Sequence, residues 1–258
     1  MTTTELYRLC VDLCRLAYGT SRQNDQQWAK WVTKRLKLRE FTDIVPVIAD
    51  DSEAFAASRN GNRFYVFRGT STCFDWLTDL KSITRTDGPW RTMRTRVHAG
   101  FARHLEVILP RLTADAATAN CEVHITGHSL GGAAATLFAA QLLDRHRDVR
   151  SLITFGAPRV GCPTFAELLD LEMSLDRRHM VRFVNLLDPV PLIPTVWRFR
   201  HAGKPMYFSR DGSCKVAPSM SWMLYDRAMA VLSGRLKSGS TMAFHSIAGY
   251  RERIRKHF

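Results

Sequence analysis

The sequence predicts an α/β fold with a mostly parallel central sheet flanked by helices. Three observations lead there. Apolar, partly β-branched runs at 121–126, 150–155 and 179–187 alternate with helical stretches at 132–144 and near 165–172, the βαβ order that a parallel sheet requires. Between the first of these strands and its helix stands Gly127-His128-Ser129-Leu130-Gly131, a G-x-S-x-G turn in strand–turn–helix context. The chain has 258 residues, 45% of them hydrophobic, enough for one sizeable core, so 1–258 reads as a single domain.

The elements follow in order. Two helices are expected at 4–18 and 24–38, the first amphipathic with Leu6, Leu9, Leu13 and Leu16 on one face. A hairpin is expected next, 44–57 pairing with 63–67 around Asn60-Gly61. A second, basic hairpin spans 81–97, and a helix starts at Phe101. The turn strand, its helix, the 150–155 strand, the 165–172 helix and the 179–187 strand come after. A hairpin strand is expected at 205–210, then a helix over 219–236 carrying Trp222, Met223, Tyr225, Met229 and Leu232. A Met/aromatic stripe of this kind is ordinarily core. A last helix follows His245.

Chemistry enters at the turn. Its glycines admit a strained backbone and a close helix–strand approach. The strain presents the Ser129 hydroxyl at a helix N-terminus, where negative charge is stabilised. A serine nucleophile needs a base, and the base an orienting acid. Asp188 stands at the carboxyl end of the 179–187 strand, and Pro189, Pro191 and Pro194 bar continuation as helix. Such strand ends are where parallel sheets place function. A turn-capping role is the alternative for Asp188, and Asp170 and Asp176, in or just after a helical stretch, are weaker candidates. Three histidines follow. His245 lies in a loop before the last helix and is preferred to His201, 13 residues after Asp188, and to the penultimate His257.

Lys and Arg number 37 against 24 Asp and Glu, a formal charge of +13. The basic residues are dispersed, for example Arg91, Arg94 and Arg96, or Arg251, Arg253, Arg255 and Lys256. Such a field favours anionic partners, or serves solubility alone. No nucleic-acid motif or aromatic platform accompanies it, so no nucleic-acid partner is expected. No apolar run approaches the ~20 residues that span a bilayer. Met1-Thr2-Thr3-Thr4-Glu5 has neither a basic start nor an apolar stretch after it, so a cytoplasmic protein, or one exported without a recognisable signal peptide, is expected. Of six cysteines, Cys10 and Cys14 are one helical turn apart, poor bridging geometry, and free thiols are expected throughout. No Cys/His spacing suggests zinc; neither metal nor other cofactor is expected.

Several short motifs are spread over about two thirds of the chain. They are Phe67-Arg68-Gly69-Thr70, Asp75-Trp76-Leu77-Thr78-Asp79-Leu80, Val97-His98-Ala99-Gly100-Phe101, the turn at 127–132, Thr154-Phe155-Gly156-Ala157-Pro158-Arg159-Val160-Gly161, Asp188-Pro189-Val190-Pro191 and His245-Ser246. In order and spacing this set resembles the fungal-type triacylglycerol lipases, the class 3 lipases. The resemblance implies an α/β-hydrolase fold and cleavage of carboxylic esters of lipids. It implies Ser129, Asp188 and His245 as the catalytic triad, and an oxyanion hole from Thr70 and the backbone N–H of Leu130. It also implies a short helical lid over the acyl site at 71–80, where Phe74, Leu77 and Leu80 share a face with Trp76 at its edge; a short core-packed helix is the alternative. On this resemblance the partner is a lipid ester, with an anionic lipid surface suggested by the charge, and the 219–236 stripe has lining of the acyl groove as a second reading. Two other functions stand beside the acylglycerol lipase: a phospholipase A, and a hydrolase fold that binds without catalysis.

Overall fold

The computed structural model of the chain describes residues 1–19, 24–70, 85–175, 177–194, 198–234 and 241–258. The lid expected at 71–80, with Phe74, Trp76 and Leu77, lies outside the described residues, as do 81–84, Cys73, Asp176 and the final two positions of the helix expected to reach 236.

Helices α1 (Thr3–Ala17) and α2 (Asp25–Lys37) each start in a capping box, Thr2 with Glu5 and Asn24 with Gln27, which satisfies amides that have no partner within the helix. The strand expected over 44–57 is in fact two. β1 (Thr42–Ala49) turns at Asp50-Asp51 into β2 (Ser52–Arg59), and β2 turns at Asn60-Gly61 into β3 (Asn62–Phe67). Asp50 and Asn60 adopt φ of 49° and 51°, a left-handed conformation that short polar side chains tolerate. The expected hairpin is therefore a three-stranded antiparallel meander.

Of the basic hairpin, the described residues form β4 (Arg85–Asp87) against β5 (Arg96–His98). The helix expected from Phe101 begins at Ala99, because His98 caps it by accepting the Gly100 amide at 3.1 Å, and it is two helices, α3 (Ala99–Glu106) and α4 (Leu109–Thr118). Then come β6 (Glu122–His128), α5 (Leu130–Asp144), β7 (Ser151–Phe155), α6 (Pro163–Ser174), β8 (His179–Asn185), β9 (Lys204–Phe208), β10 (Cys214–Val216), α7 (Met220–Leu232) and α8 (Ile247–His257).

Among the described residues, eight strands form one sheet in the order β1-β2-β3-β6-β7-β8-β9-β10. The run from β3 through β9 is parallel, with antiparallel pairs at each edge. Strand residues alternate between two cores, as the period of two requires. Tyr65 and Phe67 pack with α3, α4, α5 and α6 on one face. Phe64 and Val66 pack with α1, α2 and α8 on the other. Helix α5 is buried on almost every side, which its Ala, Gly and Leu composition permits.

The stripe on α7 departs from expectation. Met223 is buried and Trp222 meets Tyr207 edge-on at 5.9 Å, but Tyr225 and Leu232 are exposed. The helix is oriented by its polar residues, since Asp226 accepts the Arg210 amide and Arg227 donates to the Asp188 carbonyl. Among the described residues, Cys10, Cys14, Cys121, Cys162 and Cys214 are free thiols, and burial pushes Cys14 up to about 12.

Candidate active site

The parallel register brings four strand ends to one level. Phe67 stands opposite Gly127, His128 opposite Phe155, and Phe155 opposite Phe183. The residues that follow these strands therefore share the carboxyl edge of the sheet: Gly69-Thr70, Ser129, Gly156 and Asp188.

Ser129 sits between β6 and α5 with φ 59° and ψ −128°, a conformation L-residues sustain only when the surroundings enforce it. Those surroundings are visible. The Ser129 amide donates to the Phe155 carbonyl at 3.0 Å, and its carbonyl accepts from Gly132 and Ala133. A Cβ on Gly127 would lie 2.1 Å from the Gly131 carbonyl oxygen, and one on Gly131 would lie 2.2 Å from that of Phe67. No side chain fits at either position. Leu130 is the first residue of α5, so its amide has no acceptor within the helix. Thr70 is half-buried and follows Gly69, whose Cβ position lies 3.2 Å from that of Ser129. Of the two expected donors, one follows the end of β3 and the other opens α5.

Asp188 and His245 meet. Nδ1 of His245 lies 2.9 Å from both carboxylate oxygens of Asp188, and both side chains are buried. Asp188 also accepts the Tyr250 hydroxyl at 2.5 Å and the Val190 amide at 2.9 Å. Burial and the neighbouring carboxylate push the Tyr250 phenol well above its ordinary range, so it remains a donor. Asn185 fixes the loop that carries His245 by donating to the Phe244 carbonyl at 2.9 Å.

His201 is not brought to this pair. Its Nε2–H donates to the Pro191 carbonyl at 2.8 Å. Burial next to Arg182 and Arg159 holds the ring well below its ordinary pKa, in the neutral form. His257 stacks on Phe208 in the last turn of α8.

Three contributors were not singled out from the sequence. Gly156 has φ 56°, and a Cβ there would stand 2.6 Å from Asp188 Oδ2 and 3.0 Å from His245 Nδ1. Its signal was available: it ends β7 as Gly69 follows the end of β3. His128, inside the turn motif, donates from Nε2 to the backbone carbonyl of His245 at 2.6 Å and accepts the Tyr18 hydroxyl at Nδ1, also at 2.6 Å. Burial and the nearby His245 keep its pKa well below the ordinary value. Tyr250 lies on α8, and α8 is clasped to α1 by Asp12 with Arg251 and Arg255 and by the ring of Phe258 against Tyr7 at 5.1 Å. Nothing in a linear reading joins Tyr18 to His128 or Tyr250 to Asp188.

A parallel sheet covered on both faces, with a serine turn and a histidine–carboxylate pair at its carboxyl edge, is the architecture of the α/β-hydrolase fold. The comparisons agree. The model of the class 3 lipase family matches residues 64–197. The lipase of Rhizomucor miehei is 34% identical over 175 residues, 63% of this chain and 46% of that protein. The chloroplastic phospholipase A(1) DAD1 of Arabidopsis thaliana is 31% identical over 213 residues, 74% of this chain and 45% of that protein. The solved structure of the Rhizomucor miehei triacylglyceride lipase superposes with a TM-score of 0.63 at 25% identity, covering 84% of each chain. This chain belongs to the class 3 lipase family. It spans about half the length of the curated relatives it matches. Among the described residues no helix is long and apolar enough to cross a membrane.

Proposed function

We propose that the chain is a carboxylic ester hydrolase that cleaves acyl esters of lipids, with Ser129 as nucleophile, His245 as general base and Asp188 as its orienting acid. The observation that carries this reading is the buried Asp188–His245 pair on the sheet edge where Ser129 is held at φ 59°. His245 takes the Ser129 proton as Oγ attacks the ester carbonyl carbon. The oxyanion that forms is met by the Leu130 amide and by the amide and hydroxyl of Thr70. When the tetrahedral adduct collapses, the alcohol leaves with the proton from His245, and the acyl group stays on Ser129. Water deprotonated by His245 then releases the fatty acid. Phe74, Trp76 and Leu77 are assigned to a lid over the acyl chain, on the family resemblance.

Acylglycerols are the preferred substrates, on the likeness to the Rhizomucor lipase. Phospholipids are a second reading, favoured by the charge of +13 and by the kinship with the Arabidopsis phospholipase. The non-catalytic reading is disfavoured because a binding scaffold has no use for all three groups. The test is fluorophosphonate labelling of wild type and Ser129→Ala, followed by hydrolysis of a panel of triacylglycerol, diacylglycerol and phospholipid. Labelling at Ser129, and a rate loss on the order of 10⁶-fold in the alanine variant, are expected. Ester hydrolysis by Ser129→Ala near the wild-type rate would end the proposal.

A further inference from the structure

Helix α7 is built inside out. Its two charged residues face the protein: Asp226 is buried against the Arg210 amide, and Arg227 reaches the Asp188 carbonyl at 2.8 Å. The exposed positions Met220, Ser221, Leu224, Tyr225, Ala228, Val231 and Leu232 carry no charge. At 100° per residue they fall within one continuous sector of the helix, which runs for about 18 Å. Leu224 is 51% exposed, Tyr225 59% and Leu232 78%. Scattered exposed apolar residues are ordinary, whereas a continuous uncharged face on a water-exposed helix marks an interaction surface.

The face adjoins the candidate site. Leu192, in the turn after Asp188, lines a cleft together with Met220 and Leu224. What seats against α7 therefore meets the same edge of the protein as the strand ends that carry Ser129 and Asp188.

Charge selects the occupant. A second copy of a +13 chain is repelled, while an anionic lipid surface attracts the same charge. Arg210 lies against α7, its amide and guanidinium both turned to Asp226, so the attraction is that of the whole basic chain. An uncharged apolar helix face on a strongly basic chain suits a helix lying in the lipid–water boundary. We infer that the outward face of α7 docks the protein on an anionic lipid bilayer and turns the sheet edge bearing Ser129 toward it. The inference rests on the proposed lipid-ester hydrolase reading for its purpose, but the binding itself does not require catalysis.

The test uses the full chain carrying Ser129→Ala, so that no lipid is consumed, and vesicles of phosphatidylcholine with and without phosphatidylglycerol. In this background the double variant Leu224→Glu/Leu232→Glu should bind the mixed vesicles roughly a hundredfold more weakly, about tenfold per leucine withdrawn from the boundary. Its melting temperature should not change, because both positions are exposed. Leu232→Ser, a milder change, should weaken binding about tenfold and covers the case in which the double variant fails to fold. Binding should fall as salt rises. Undiminished binding in the variants overturns the inference, and so does equal affinity for vesicles lacking phosphatidylglycerol. A wild-type dimer that the substitutions dissociate, with vesicle binding unaffected, assigns the face to a second copy instead. Fluorophosphonate labelling of Ser129 without any vesicle binding would defeat the docking surface and leave the hydrolase standing.

Discussion

Gly156→Ala is the sharpest probe of the site, because it adds one atom in a place the structure defines. The backbone there is left-handed at φ 56°, and the new Cβ would meet Asp188 Oδ2 at 2.6 Å and His245 Nδ1 at 3.0 Å. Neither partner can retreat. Asp188 is held by His245, Tyr250 and Val190, and the His245 backbone is held by His128. The left-handed conformation costs an alanine about 1–2 kcal/mol, and overpacking adds about 1–3 kcal/mol. Together these predict a stability loss of roughly 2–5 kcal/mol. Displacement of the pair by even ~1 Å predicts a fall in kcat on the order of 10²-fold. Gly61→Ala is the matched control. Its φ is 72°, yet no atom lies within 4 Å of the added Cβ, so it should cost on the order of 1 kcal/mol of strain and leave the rate unchanged. Both variants should be measured by guanidinium unfolding and by turnover of a soluble short-chain ester. Folded Gly156→Ala with wild-type turnover would refute the assignment of Asp188 and His245 to the chemistry.

Thr70→Val keeps the shape and the backbone amide but removes a hydroxyl donor, and kcat should fall ~10²–10³-fold; an unchanged value would place the hydroxyl away from the reacting carbonyl. His245→Ala should be nearly inactive, while His201→Gln, at a ring that bonds the Pro191 carbonyl away from Asp188, should keep most of its rate; the reverse pattern would exchange the two roles. Acid stability follows from His104 and His124, which burial holds down to about 4. The unfolded chain binds protons at these rings from about pH 6.5 downward while the folded chain does not. Stability should therefore be complete above that pH and fall as pH drops toward 4, by on the order of 3 kcal/mol for each ring. Urea midpoints across this window test it, and a flat profile between pH 6.5 and 4 would contradict the buried neutral rings.

The sequence carried the centre of the molecule and lost its periphery for a physical reason. Ser129 and Asp188 stand at strand ends, and strand ends are legible where an apolar run stops at a glycine or a proline; Thr70 was reached through the family resemblance. His245 was preferred for its loop before the last helix, and the structure sets it against Asp188. The meander at 42–67 was misread because Asp50-Asp51 interrupts a pattern that otherwise looks continuous on both sides. Gly156, His128, Tyr18 and Tyr250 act through contacts between segments far apart in the chain, and no local pattern encodes those. The orientation of α7 was lost for a related reason. Its charged residues satisfy partners on β9–β10 and after β8, and this overrides the usual sorting of polar residues to the outside.

The clasp between α1 and α8 has a consequence for chain order. Phe258 touches Tyr7, and Asp12 holds Arg251 and Arg255, so residues 1 and 258 flank the ends of neighbouring helices. A linker of roughly four to six residues would join them without moving either helix. New ends could then be opened at the Asp211-Gly212 turn between β9 and β10, where Asp211 is exposed and a Cβ on Gly212 would meet only the flexible end of Lys256, at 3.9 Å. In such a circular permutant the chain would meet His245 first, then Ser129, then Asp188, while the three occupy the same places at the sheet edge. The proposed chemistry would survive a change of sequence order, because the clasp and the parallel register set the positions of these side chains and the direction of the chain does not.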